Sequence, residues 1–303
     1  MSPASPRKLT GFFLIGTAAL LSLVWGSAFS MTRVAVRDIA PIWLVAMRCS
    51  IGSILLISWM HYCGHRFPAL KDKRWLWYSW LGFVGMVLPF YLFSKGQIKI
   101  DSGLAAILAG TMPLITIILA HFFVNERMTS RKMLGFLIGF LGIVTLFLPK
   151  DLSLSLISDW RSQALMVGGA FCYAATTILA KRAPPTPPSV GAAMMVSCAS
   201  LVAIICALIS GVPDAAPHGL TLLMALGLGL GSTGIATIVY LWVLEQSGPS
   251  LLAKINYFPP LVSVALGTWL LGEEFTWRLA AAFVMILIGL LVARSGPKLP
   301  ARL

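Results

Sequence analysis

Charged side chains are scarce in this chain of 303 residues. They make up only 11% of the sequence, whereas 58% of the residues are hydrophobic, and a soluble protein carries roughly 25% charged residues. So few charges cannot cover the surface of a water-soluble globule. Because a lipid bilayer is the solvent that suits this composition, we expect an all-α integral membrane protein without a soluble domain.

Motifs that would indicate ATP use, metal binding or catalysis are absent as well. There is no GxxxxGK[ST] loop, which excludes a P-loop ATPase, and no HExxH or Asp-rich motif that a membrane-embedded enzyme would need. The five cysteines have no CxxC spacing, and His61 and His65 lack further ligands nearby. We therefore predict no disulfide, no metal and no cofactor. Every Asp and Glu falls in a predicted loop or at a helix end, so no carboxylate proton relay is visible within the membrane.

Long hydrophobic runs are what the sequence has instead. A membrane-spanning helix needs about 20 mostly apolar residues. Short loops separate ten such runs, and residues 1–10 and 296–303 form predicted tails. The first run follows two basic residues, as a signal peptide would, but its length favours a retained helix. The ten predicted helices are 11–31, 42–60, 76–94, 103–124, 133–148, 163–180, 190–210, 220–243, 249–271 and 279–293.

The net charge of +13 has two interpretations, which are nucleic-acid binding and the excess of Lys and Arg that membrane proteins carry on their cytoplasmic side. If the N-terminus is inside, the predicted inner segments hold more Lys and Arg than the outer ones. This asymmetry favours a membrane protein with both termini in the cytoplasm and with no nucleic-acid partner. Two basic residues, Arg48 and Lys254, remain inside predicted helices.

The second half of the chain repeats the first. Residues 102–142 resemble residues 249–289 at a constant offset of 147 positions, which pairs Pro113 with Pro260 and Glu126 with Glu273. The repeated unit holds five predicted helices, an odd number, so its second copy is expected to cross the membrane in the opposite sense. Inverted repeats of this kind are typical of secondary transporters, which open a midplane site to each side in turn.

These features resemble the drug/metabolite transporter superfamily, specifically chains with two EamA-type repeats. The resemblance covers about residues 10–295 and implies two repeats, at 11–150 and 160–295, around a central cavity. It also implies an exporter of small metabolites in the bacterial inner membrane, and several branches of the superfamily export amino acids. The motifs that carry it are VWGSAFSMTRVA (24–35), AMRCSIG (46–52), NER (125–127) after Pro113, and PPLVSVALGTWLLGEE (259–274).

The expected function is therefore a secondary transporter, not an enzyme, and amino acids of a broad range, including aromatic and apolar ones, are the favoured substrates. Exporters of sugar phosphates, nucleotide-type compounds or cationic drugs are the alternatives, and a channel or a membrane-embedded enzyme is a more distant one. Sugar phosphates would need more buried positive charge, and cations would need a deep carboxylate. The oligomeric state stays open, and a monomer is compatible with the sequence.

Prolines predict two helix breaks at equivalent places of the two repeats. Pro113 in the first repeat, and Pro259 and Pro260 in the second, lack an N–H group and so leave carbonyls four residues back without a donor. In the second repeat these carbonyls are those of Ile255 and Asn256. Because lipid offers no donor, a water-filled cavity or a bound substrate would serve. A packing kink that neighbouring Ser or Thr side chains satisfy is the alternative.

Lys254 lies near the inner end of its predicted helix, where a lysine can extend to the membrane surface. The alternative is a binding role, in which its ammonium meets a substrate carboxylate beside Tyr257 and Phe258, three and four residues further along the same helix face. Arg48 is expected to have a structural role, in which it pairs with backbone carbonyls or with a carboxylate of the outer loop such as Asp38.

Further side chains are predicted to line the cavity because they are aromatic, hydroxyl-bearing or thioether groups inside apolar helices. Packing between helices is the alternative for each of them taken alone. Besides Lys254, Asn256 and Tyr257, the predicted substrate-binding residues are Trp25, Tyr91, Thr111, Met112, Tyr173 and Tyr240.

Overall fold

A computed structural model describes residues 11–123, 128–147, 160–213, 215–247, 255 and 258–293. Every regular element in these ranges is helical. The first half of the chain forms α1 (Gly11–Ala35), α2 (Pro41–Tyr62), α3 (Arg74–Gly82), a first π-helical segment (Phe83–Val87), α4 (Leu88–Gly96), α5 (Ser102–Ala109), α6 (Met112–Phe123) and α7 (Ser130–Phe147). The second half forms α8 (Trp160–Ala180), α9 (Pro188–Ile209), α10 (Gly219–Gly227), a second π-helical segment (Leu228–Ile235), α11 (Ala236–Ser247), α12 (Pro259–Leu271) and α13 (Trp277–Ala293).

Seven of the helical stretches are long and apolar enough to cross a membrane, as judged by length and composition. Two of them include the π-helical segments, and a third combines α5 with α6. Helices also form at the other three predicted positions, as α7, α12 and α13. The predicted all-α class is therefore confirmed, with seven candidate membrane spans among the described residues. The seven candidate spans are Gly16–Ala35, Pro41–Tyr62, Arg74–Gly96, Ser102–Phe123, Trp160–Ala180, Pro188–Ile209 and Gly219–Gln246.

Proline and glycine set the ends of α2 and α9 in the same way. Both helices begin at a proline, Pro41 or Pro188, whose fixed φ angle and missing N–H suit the first helical position. Gly64 and Gly211 follow their C-terminal ends with φ angles of +76° and +92°. Glycine adopts this left-handed backbone without a steric penalty. Both helices therefore end where the sequence provides a glycine.

The helices α2 and α9 pack against each other through serine hydroxyl pairs. The Oγ atoms of Ser50 and Ser200 are 2.8 Å apart, and those of Ser53 and Ser197 are also 2.8 Å apart. The residue number on α9 falls as the number on α2 rises, so the two helices run antiparallel. Such hydroxyl pairs satisfy polar groups that lipid would leave without a partner.

Glycine brings α7 and α13 into backbone contact. A Cβ atom on Gly289 would lie 2.5 Å from the carbonyl oxygen of Gly135 and 2.6 Å from the nitrogen of Gly139. No side chain fits at such distances, so the close approach requires glycine on this face. The GxxxG spacing at Gly135 and Gly139 is thus used for helix packing within one chain.

Candidate functional site

A cavity of about 420 Å³ lies between helices of the two halves of the chain. Its volume is within the range of pockets that hold small organic molecules. Its walls come from α1, α2, α4, α6, α8, α9, α11, both π-helical segments and the residue after α4. The lining residues are Trp25, Ala28, Phe29, Thr32, Arg48, Gly85, Met86, Phe90, Phe93, Ser94, Gln97, Met112, Tyr173, Thr176, Thr177, Met195, Ser232, Thr233, Thr237 and Tyr240.

Four of the side chains predicted to line a cavity do so, namely Trp25, Met112, Tyr173 and Tyr240. The rings of Trp25 and Tyr240 have centroids 5.9 Å apart, which joins α1 to α11. The ring of Tyr173 lies 5.4 Å from that of Phe93, which joins α8 to α4. Aromatic contacts between the two halves therefore form much of the apolar wall.

Tyr91 and Thr111 lie away from the cavity lining. Tyr91 packs against an apolar cluster that includes Val45 and Ala203. Thr111 is fully buried, and its hydroxyl donates to the carbonyl of Leu108 at 2.6 Å. Consecutive residues of a helix point about 100° apart. The cavity receives the neighbours of these two residues, Phe90 and Met112. In α4 the rotation turns Tyr91 away, whereas Thr111 lies in the break between α5 and α6.

The predicted helix breaks meet each other. The first interruption falls between α5 and α6, just before Pro113, and α12 begins at Pro259. A Cβ atom on Gly110 would lie 3.4 Å from the ring of Pro260, so the two interruptions are in contact. The carbonyl of Ile255 accepts a hydrogen bond from the N–H of Phe258 at 3.0 Å. That carbonyl is therefore satisfied locally, in contrast to the expectation that it would be open.

Lys254, Asn256 and Tyr257 lie outside the described residues, so their predicted binding roles stay predictions. The prolines that follow them are buried. They occupy the first turn of α12, where a missing N–H group disturbs no helical hydrogen bond.

Arg48 lines the cavity, which sequence reasoning missed. Its Nε donates to the hydroxyl of Thr233 at 2.8 Å, and its guanidinium carbon lies 3.7 Å from the centroid of the Phe90 ring. The expected partner Asp38 instead has its Oδ2 2.7 Å from Nδ1 of His218. That hydrogen bond holds the pKa of the Asp38 carboxyl below its ordinary value.

The predicted pairing of Arg48 with Asp38 is therefore wrong, and within the described residues its hydrogen bond goes to Thr233 and not to a backbone carbonyl. Arg48 lies seven residues after Pro41, the first residue of α2, which places it about 10 Å along the helix from the end where Asp38 lies. A signal for its actual place existed in the sequence. An arginine inside an apolar helix, without a carboxylate on the neighbouring turns, marks a polar interior more often than a lipid-facing surface.

Gln97 adds an unsatisfied polar atom to the cavity wall. Its side chain is fully buried and its Nε2 donates to the carbonyl of Phe29 at 2.8 Å. Its Oε1 has no hydrogen-bond donor among the described residues. A buried acceptor without a partner is destabilising.

Glu273, in the loop after α12, binds the first turn of α5. Its carboxylate accepts hydrogen bonds from the N–H of Ser102 at 2.8 Å, the hydroxyl of Ser102 at 2.9 Å and the N–H of Gly103 at 3.1 Å. Ser263 of α12 donates to the carbonyl of Ser102, and Ser30 of α1 lies within hydrogen-bond distance of its hydroxyl. The start of α5 therefore holds α1, α12 and the loop after α12 together. The equivalent Glu126 lies outside the described residues.

Comparison with known proteins places this arrangement in a family. The model of the EamA-like transporter family matches residues 12–148 and, a second time, residues 160–295. The chain belongs to the EamA-like transporter family. The resemblance inferred from the sequence is thereby confirmed, and the two matched ranges coincide with the two halves that enclose the cavity. The protein is a membrane transporter of the EamA type.

Relatives of this transporter cover most of its length. The uncharacterized inner membrane transporter YedA of Escherichia coli K12 is 26% identical over 265 residues, which are 87% of this chain and 84% of YedA. The probable terminal-alkyne amino-acid exporter of Streptantibioticus cattleyicolor is 26% identical over 259 residues, 84% of this chain and 85% of that exporter. A crystal structure with 19% sequence identity superposes with a TM-score of 0.65 over 94% of this chain and 97% of its own, so the fold is shared.

The cavity of this transporter combines one cation with hydroxyl groups on an apolar wall. Arg48 is the cationic side chain among its lining residues, and the described part of the lining holds no carboxylate. No group of His, Cys, Asp or Glu within the described residues is arranged to hold a metal ion. The arrangement can bind an amphipathic small molecule by aromatic contact, hydrogen bonding and one positive charge.

Proposed function

We propose that this transporter exports small metabolites across the bacterial inner membrane by alternating access through the cavity between its halves. In this proposal, ten membrane helices form two inverted five-helix repeats, residues 11–150 and 160–295, and both termini are cytoplasmic. The proposal depends on one observation above others, which is that both halves contribute side chains to a single cavity. A cavity at the contact of two repeats opens to either side when the repeats move against each other.

Crossed serine pairs support the inverted repeat. The offset of 147 positions that pairs Pro113 with Pro260 also pairs Ser50 with Ser197 and Ser53 with Ser200. The hydrogen-bonded pairs are Ser50 with Ser200 and Ser53 with Ser197. Two copies related by a twofold axis exchange partners in this way. Because α2 and α9 are antiparallel, such an axis lies across the helices, in the membrane plane, as an inverted repeat requires.

Glycine contacts repeat the same relation elsewhere. A Cβ atom on Gly82 would lie 2.5 Å from the carbonyl oxygen of Met195, and one on Gly229 would lie 3.2 Å from that of Arg48. Gly82 and Gly229 are separated by the same offset as Arg48 and Met195. The two π-helical segments, Phe83–Val87 and Leu228–Ile235, also occur at equivalent places. These contacts support two copies of one unit.

Amino acids of a broad range, including aromatic and apolar ones, are the proposed substrates. The aromatic wall of the cavity suits such side chains, and one relative is named a probable amino-acid exporter. Lys254, Asn256 and Tyr257 are proposed to complete the site beside Trp25, Met112, Tyr173 and Tyr240. The site lies within one chain, so a monomer suffices, and the proposal includes no enzymatic activity and no cofactor.

Uptake into proteoliposomes tests this function. Purified protein is reconstituted and supplied with radiolabelled amino acids, sugar phosphates or a cationic dye, and protein-free liposomes serve as the control. We expect saturable uptake of aromatic and apolar amino acids. Accumulation of sugar phosphates or of the dye without amino-acid uptake would refute the proposed substrate class. In the same assay Lys254→Ala is expected to lower the uptake rate more than twofold. A smaller effect would favour the alternative, in which Lys254 extends to the membrane surface and does not bind substrate.

A further inference from the structure

Arg48 carries a charge that the described chain does not neutralise. It forms no ion pair with a carboxylate among the described residues, and the carboxylates that are described lie outside the cavity lining. A cation that is removed from water needs a counter-charge or several hydrogen bonds. The one hydrogen bond of Arg48 within the described ranges goes from Nε to Thr233. Its two terminal nitrogens carry four N–H groups that no acceptor in this part of the chain receives.

Among the described residues, two contacts hold the guanidinium in place, and neither uses its terminal nitrogens. Thr233 accepts from Nε on one side, and the ring of Phe90 covers one face at 3.7 Å from centroid to guanidinium carbon. The side chain is partly exposed, and the residue lines the cavity. A guanidinium fixed in this way presents a planar pair of donors, which matches the two oxygens of a carboxylate.

The second half of the chain provides a natural comparison. Met195 lies 147 positions after Arg48 and also lines the cavity. If the halves are repeats, as proposed above, the fold accepts an uncharged side chain of similar length at this place. The charge of Arg48 is then not required for helix packing, which leaves ligand binding as its function.

We propose that Arg48 binds the carboxylate of the transported molecule and thereby restricts the cavity to organic carboxylates with an aromatic or apolar body. This inference rests on the proposed function, because it takes the cavity to be the transport site. Arg48 is the one cation of the described lining and matches the single charge of a carboxylate, whereas the greater charge of a phosphate monoester would leave part of its charge without a partner among these residues. Organic cations are excluded because they would meet Arg48 without any carboxylate in the described lining.

Binding by the purified full-length protein tests the proposal. Three probes share a phenyl ring and differ in charge: 3-phenylpropanoate, phenyl phosphate and phenethylammonium. Their affinities are measured by calorimetry in detergent. We expect wild-type protein to bind 3-phenylpropanoate more tightly than either of the other two. In Arg48→Met the affinity for 3-phenylpropanoate should fall about 10- to 100-fold, which is the effect of losing one or two charge-assisted hydrogen bonds.

Further variants keep the test decisive if Arg48→Met does not fold. Arg48→Lys retains the charge without the planar fork and should lose part of the affinity. Thr233→Val leaves Arg48 in place without its Nε acceptor and should weaken carboxylate binding several-fold. Arg131→Met is the matched control, because Arg131 is exposed and donates to the carbonyl of Val292 outside the cavity. Its affinities should equal those of the wild type.

Three results would overturn the proposal. Wild-type protein that binds no carboxylate, or prefers phenethylammonium, contradicts it. Unchanged carboxylate affinity in folded Arg48 and Thr233 variants also contradicts it, as does loss of that affinity in Lys254→Met alone. Failure of the transport function is separate. Arg48-dependent carboxylate binding without uptake into proteoliposomes would refute transport and leave Arg48 as a carboxylate-binding residue of the cavity. Saturable uptake of cations without carboxylate binding would refute the role of Arg48 and leave transport standing.

Discussion

At the scale of single residues, Glu273 joins distant parts of the chain. One carboxylate satisfies three donors at the first turn of α5, where backbone N–H groups have no helical partner. The helix dipole further favours a negative charge at this end. Because Gly267 has no side chain, there is room beside it for the Glu273 carboxylate.

We predict that Glu273→Gln lowers the free energy of unfolding by about 1–3 kcal/mol, since charge-assisted hydrogen bonds become neutral or are lost. The measurement is the thermal unfolding midpoint of the purified protein in detergent. Glu245→Gln is the matched control because Glu245 is exposed on α11. Equal midpoints for Glu273→Gln and the wild type would contradict the capping role.

The cavity-lining residues were only partly predictable from the sequence. Their aromatic side chains inside apolar helices indicated Trp25 and Tyr173 as candidates, and both lie at the cavity. Tyr91 and Thr111 face elsewhere. In an almost uniformly apolar stretch, the sequence has no polar pattern that shows which residues face a cavity. The place of Arg48 depends on Thr233, which is 185 positions away. No local spacing encodes such a contact.

At the scale of helices, the contact between α7 and α13 depends on the absence of side chains. Gly135, Gly139 and Gly142 of α7 all approach the backbone or side chains of α13 or α6 closely. In a membrane, van der Waals contact between backbones is a main source of helix association. These glycines are therefore expected to tolerate no larger residue.

We expect Gly289→Ala to destabilise the protein by about 1–3 kcal/mol, because the added methyl group overlaps with the backbone of α7 and forces the helices apart. Gly16→Ala is the control. A Cβ atom there meets nothing within 4 Å, and alanine favours the helix over glycine by roughly 1 kcal/mol. The thermal unfolding midpoints of the two variants are compared in detergent. A Gly289→Ala protein as stable as Gly16→Ala would contradict the close contact.

The π-helical segments are elements that the sequence did not predict. A π-helical turn adds one residue to a helix without changing its hydrophobic character, so an apolar stretch gives no signal of it. Both segments contribute to the cavity, through Gly85 and Met86 in one half and Ser232 and Thr233 in the other. Each half therefore contributes part of its π-helical segment to the cavity lining.

At the scale of the whole molecule, the sequence predicted more of the architecture than of the site. Long apolar runs predicted the approximate places of the helices, because each helix must satisfy its own backbone in lipid. Seven helical stretches of the described residues are long and apolar enough to cross a membrane. The offset between Pro113 and Pro260 already indicated two copies, which agrees with the two ranges that match the family. Orientation in the membrane rests on the charge asymmetry and stays a prediction.

Thiol labelling tests that orientation. In a chain whose native cysteines have been replaced, Ala215→Cys lies in the exposed loop between α9 and α10, and Lys71→Cys lies in the exposed loop between α2 and α3. The inverted topology predicts that a membrane-impermeant reagent labels position 215 in intact cells. Position 71 should react only after the inner membrane is opened. The reverse pattern would contradict the predicted cytoplasmic termini.

The central claim, that the cavity between the halves carries substrate by alternating access, is tested most directly by counterflow. Proteoliposomes are preloaded with unlabelled phenylalanine, and entry of the labelled amino acid is followed against its external concentration. The account predicts saturable entry that preloading accelerates, and slower counterflow when Tyr173→Ala removes an aromatic wall of the cavity. Entry that rises linearly with concentration and ignores the preloaded amino acid would contradict it, since such flux belongs to a channel.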